Sequence, residues 1–144
     1  MKKRYWLLCS LPLVGCSTIP PELGVSGETL KDCPITPNCH SSMDKNAQDI
    51  APILFKGSRA QAKEKLVGII NSLPRTTIVE EQDNYLRVEF RSHLIGFVDD
   101  VEFLLSQKVG DRTQIDFRSA SRLGISDLGV NKARMKKIKV LFAQ

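Results

Sequence analysis

Histidine is almost missing from this sequence: His40 and His93 are the only two among 144 residues. Neither stands in a recognisable triad context, which removes the usual base from a serine- or cysteine-centred mechanism. No glycine-rich phosphate loop and no paired metal-ligand motif occurs, so neither a metal nor a cofactor is expected. A large charge surplus is lacking too. The net charge of +5 and the pI near 9.1 owe much to Lys2, Lys3 and Arg4. Without these three, 18 basic residues face 16 acidic ones, a balance that argues against a nucleic-acid partner. Apolar and charged contents of 42% and 26% are those of an ordinary globular chain, and the length suits one domain.

The leader lacks a run long enough to span a membrane. Residues 1–16, MKKRYWLLCSLPLVGC, carry a basic start and an apolar run from Tyr5 to Val14. A permanent spanning helix needs about 20 residues. The succession of charged, apolar and small residues fits a secretory signal peptide, residues 1–15. Leu13-Val14-Gly15-Cys16 resembles the lipobox of bacterial lipoproteins. That resemblance implies cleavage before Cys16, a diacylglycerol on its sulfur and acylation (palmitate being the usual chain) of the new amine. Each buried methylene contributes about 0.8 kcal/mol, so one chain binds marginally and several bind firmly. Ser17 follows, where an aspartate would mark retention in the inner membrane. The expected location is the bacterial cell envelope, at the outer membrane and facing the periplasm.

Residues 17–31, STIPPELGVSGETLK, hold Pro20, Pro21, Gly24 and Gly27 without sustained periodicity. Together with Cys16 they read as a lipidated, flexible tether, which leaves 32–144 as a single globular domain. Cys33 and Cys39 open that domain. In an exported chain two nearby cysteines usually pair, and so short a loop contributes about 2–2.5 kcal/mol on the chain-entropy account. The competing reading is a metal site of Cys33, Cys39, His40 and His93. It lacks the second closely spaced ligand pair that zinc favours.

Within the domain, Ser58 to Leu73 is the clearest helix. Ala62, Leu66, Ile69, Ile70 and Leu73 form one apolar stripe, Ser58 with Gln61 makes a capping box, and Pro74 ends the run. Segments 76–81, 85–90, 100–106 and 113–119 alternate apolar and polar residues, with a hairpin turn at Lys108 to Arg112. A second helix is expected from Ser126 or Asp127 to the C-terminus, with Leu128, Met135, Ile138, Leu141 and Phe142 on one side. The expected fold is α+β: a four-stranded antiparallel sheet with two helices packed on one face, in two layers.

Between the last strand and the last helix runs RSASRLGISDLGVNKAR, residues 118–134. With GFVDDVEF (96–103) and CPITPNC (33–39) it closely resembles the family called domain of unknown function 1499, over about residues 30 to 142. Members show a CP-x-x-PNC-type start, an FVDD-type strand opening and an RS-x-SR-x-G-x-x-D-x-G-x-N-x-x-R signature. His40 departs from the pattern, where an apolar residue is more usual. The resemblance implies a domain type and brings no agreed activity.

Physically, the signature admits two readings. Arg118, Arg122 and Arg134, with Asp99, Asp100, Asp127 and Asn131, can form a buried ion-pair and cap network that fixes a loop crossing. Alternatively, the arginines and free N–H groups at the helix start can hold a phosphate or carboxylate. Ser42-Met43-Asp44-Lys45 matches an S-x-x-K pattern, but no K-T-G partner accompanies it. The expectation is therefore a membrane-anchored binding module for an anionic envelope ligand or a protein partner. Its alternatives are an enzyme acting on an anionic substrate through Asp99 or Asp100, and a structural assembly factor.

Overall fold

The computed structural model describes residues 23–44, 51–124 and 126–144. The expected signal peptide and Cys16 lie outside the described residues. The described elements are β1 (Val25–Ser26), β2 (Thr29–Leu30), β3 (Cys39–Ser41), β4 (Ile53–Lys56), α1 (Arg59–Ser72), β5 (Thr76–Glu81), β6 (Tyr85–Arg91), β7 (Val98–Lys108), β8 (Arg112–Ser121) and α2 (Val130–Ala143). Among the described residues no helix is long and apolar enough to cross a membrane.

The fold is α+β with two helices, but the sheet has six strands rather than four. β5, β6, β7 and β8 form the expected antiparallel meander. The two additional strands share the outer edge of β8: β3 pairs with residues 118–120 and β4 with residues 112–115. Strands of three and four residues are too short to show a period of two, and one of them starts at the cysteine that closes the disulfide loop. A separate two-stranded hairpin, β1 with β2, occupies part of the stretch read as a tether. Its Leu30 is buried with Tyr85 and Leu104.

Alternation along the strands divides the sheet into two unlike faces. Leu86, Val88 and Phe90 of β6, Val101, Phe103 and Leu105 of β7, and Ile115 and Phe117 of β8 share one core with both helices. α1 contributes Ala62, Leu66 and Ile70, and α2 contributes Met135, Ile138 and Phe142. Ser58 caps α1 through the expected box: its hydroxyl accepts from Gln61 N–H, and Gln61 Oε1 accepts from Ser58 N–H at 2.9 Å. The opposite face carries Tyr85, Arg87, Glu89, Asp100, Glu102, Asp116 and Arg118, and its deeper members are closed off from water.

α2 starts later than expected. Leu128 and Gly129 have φ of 53° and 81°, outside the helical range, so the helix begins at Val130. Leu128, placed by periodicity on the buried stripe, is instead 94% exposed.

Candidate functional site

The signature arginines do not converge. Arg118 lies on the face away from the helices, where Nη1 donates to Glu102 Oε2 at 3.0 Å. Glu102 Oε1 also accepts from the Tyr85 hydroxyl at 2.8 Å and from Gly24 N–H at 2.6 Å. Burial, reinforced by the hydrogen bond to Glu102, pushes the Tyr85 phenol far above its ordinary value. Arg118 Nε is buried without a hydrogen-bond partner.

Arg122 sits farther along this face. Nε and Nη2 grip the two oxygens of Asp100 at 2.6 and 2.9 Å, and Nη2 also reaches Glu89. The hydrogen bond to Asp100 is the main cause holding this guanidinium's pKa above the ordinary arginine value. A third cation, Arg87, approaches Asp100 at 3.6 Å.

Arg134 and Asp99 belong to the helix side. Arg134 Nη2 donates to Asp99 Oδ2 at 2.5 Å, and its carbon Cζ stands 4.6 Å above the Phe90 ring. Its other nitrogen donates to Ser119 Oγ at 3.1 Å and to Asn131 Oδ1. Asn131 is fully buried. It donates to Asn38 O and Ser121 Oγ, each at 3.1 Å, and accepts from the Ser119 hydroxyl. Asn38 in turn donates to Ser121 O and Gly124 O. These bonds tie the cysteine loop, the end of β8 and the first turn of α2 together.

Asp127 receives Gly129 N–H at 3.0 Å and Asn131 N–H at 2.7 Å. Burial pushes its carboxyl up, yet these backbone donors outweigh burial and leave it below the usual carboxylate value. Its oxygens are occupied by the protein's own amides. Cys33 and Cys39 are joined as a disulfide with Cα atoms 5.6 Å apart, so the four-ligand metal set built on them does not form. The Ser42 hydroxyl donates to Asp116 and accepts from Phe117 N–H. Lys45 lies outside the described residues.

Asp99 and Asp100 point to opposite faces of the sheet, each answered by an arginine. They therefore share no reacting centre as an acid–base pair. The seven candidate ligand residues mostly bind one another, and they build one end of the domain rather than line a single anion pocket.

That end carries open surface which the sequence reading passed over. A cleft of about 300 Å³ lies between the β6–β7 loop and the β8–α2 loop, walled by Phe97, Leu123, Leu128 and Val130 with Asp99 and Asp127. A second, of about 390 Å³, adjoins it through Ser92, Asp99 and Val130, and is rimmed by Arg75, Arg91 and Lys137 over Pro74 and Phe90. Twelve large apolar residues are exposed among those described. Leu94, Ile95, Phe97, Leu123, Leu128 and Val130, half of them, belong to these two loops and the residue that starts α2. The last four wall one cleft, which makes a patch rather than scattered exposure, and Leu94 and Ile95 stand in the same loop as Phe97. The signal in the sequence was Leu94-Ile95-Gly96-Phe97: an unbroken apolar run between two strands, where a loop would ordinarily be polar.

No curated protein matches the chain. A family model matches residues 29–142, from β2 through all but the end of α2, and the chain therefore belongs to the family described as protein of unknown function (DUF1499).

Proposed function

We propose that this chain is a bacterial envelope lipoprotein, held by acyl groups on Cys16 at the outer membrane and facing the periplasm. Its domain works as a binding module through the end formed by the β6–β7 and β8–α2 loops. The observation that carries the binding reading is the adjoining pair of open clefts there, one apolar and one rimmed by Arg75, Arg91 and Lys137. The anionic-ligand expectation thus moves from the paired signature arginines to exposed cations beside apolar surface. The signature itself serves to hold the two loops in place. An acid–base enzyme is the weaker alternative, because both aspartates are engaged on separate faces.

Two measurements test this reading. Intact mass of the protein extracted from membranes should show acyl chains on Cys16, and an unmodified amino terminus there removes the anchor. Amide hydrogen exchange should be slower in native membrane vesicles than in detergent for residues 92–98 and 122–130. Equal exchange throughout would remove the binding end.

A further inference from the structure

We propose that the occupant of this end is the surface of the bilayer itself: the two loops dip their apolar tips among anionic phospholipids while the acyl anchor holds the chain nearby. This rests on the binding reading above and names its partner.

Shape separates a bilayer from a protein groove. Leu94 is 90% exposed and Ile95 70%, and neither lines either cleft, so these side chains project outward, while Leu128, 94% exposed, stands at the rim of the first cleft. A fluid interface accepts protruding apolar groups at any register. Leu128 also holds a left-handed φ of 53°, which costs a non-glycine residue free energy. Its return in the fold is a side chain aimed into solvent.

Charge points the same way. Arg75, Arg91 and Lys137 rim the cleft beside the tips. Arg91 shares Glu89 at 3.1 Å, and Arg75 Nε is held by Arg91 O at 3.2 Å. Of the acidic neighbours, Asp99 is paired with Arg134, and Asp127 keeps its single negative charge with its oxygens turned to two backbone amides. Cations around an apolar tip match the phosphates and acyl boundary of an anionic bilayer.

The tether allows it. Eight residue steps separate Cys16 from Gly24, at most about 29 Å of chain. Gly24 N–H is fixed on Glu102, four residues from the start of β7 and six from its other end. At about 3.4 Å per residue the loops lie about 14 Å away along the strand, well inside that reach.

The test uses the acylated full chain in vesicles of phosphatidylethanolamine and phosphatidylglycerol. Trp6 is the only tryptophan and lies in the leader, so Ile95→Trp gives the processed protein a single reporter. Val109→Trp, at a site 97% exposed in the β7–β8 turn, is the control. The Ile95→Trp emission should shift to the blue and be quenched by lipids brominated on their acyl chains, and Val109→Trp should do neither. Lys137→Gln should lower the quenched fraction about fivefold relative to the unquenched one in anionic vesicles, and leave vesicles of phosphatidylcholine unaffected. Solvent-like emission from both reporters overturns the proposal. If slowed exchange at residues 92–98 persists in native membranes while Ile95→Trp stays solvent-like in pure lipid, the partner is a protein: the binding end survives and the bilayer does not.

Discussion

Asn131 concentrates the physics of the signature in one side chain. It is fully buried, and its amide spends both ends on groups from three parts of the chain: Asn38, Ser119 with Ser121, and Arg134. Truncation leaves those groups buried without partners, and each orphan costs about 1–3 kcal/mol. Asn131→Ala should therefore lower unfolding stability by roughly 3 kcal/mol in chemical denaturation with the disulfide intact. A loss below about 0.5 kcal/mol, the size of an ordinary surface substitution, would mean that the network is not what fixes the loops. The spacing of Asn131 and Arg134 placed both near one helix face. The sequence could not show that Arg134 would turn to Asp99 while Arg122 took Asp100, because that depends on which face of β7 each aspartate meets.

Among the elements, those with several turns or repeats of pattern were legible and the short ones were not. α1 announced itself through a stripe, a cap and a proline stop, and the meander through alternation in four segments. β3 and β4 owe their existence to β8, whose ten residues leave an edge for them to pair with, and pairing of that kind leaves no local mark. The start of α2 was misplaced because Leu128 fits the apolar period and only its left-handed backbone takes it off the helix. The second sheet face was read simply as polar, yet it closes over charge beneath the β1–β2 hairpin. Tyr85 makes that closure measurable. Its folded pKa is raised, so its stabilising share is complete below the unfolded value of 10.0 and is lost as pH climbs beyond it. Stability should fall above pH 10 more steeply in the native chain than in Tyr85→Phe. Tyr5 is the other tyrosine, so in a chain that begins at residue 16 phenolate absorbance follows Tyr85 alone. Parallel alkaline profiles for the two proteins would show that the Tyr85–Glu102 contact opens freely to water.

At the scale of the whole molecule, the proposed acyl anchor and the weaker loop contact act together only if the chain between them has a suitable length. In the proposed arrangement the acyl anchor would confine the domain near a surface and the loops would meet the bilayer, while the hairpin pins Gly24 to Glu102. Docking after anchoring is intramolecular, so its equilibrium follows the effective concentration that the tether sets, falling as about the three-halves power of its length. Ten glycine and serine residues inserted after Ser17 would extend the link from eight steps to eighteen, which should lower the docked-to-free ratio about threefold. Brominated-lipid quenching of Ile95→Trp in anionic vesicles reads that ratio directly. The insertion should leave the acyl mass on Cys16 and the unfolding midpoint unchanged, since it touches neither the lipobox nor the packed domain. A ratio that ignores the added length would mean that the loops reach the membrane without help from the anchor, and that lipidation serves location alone.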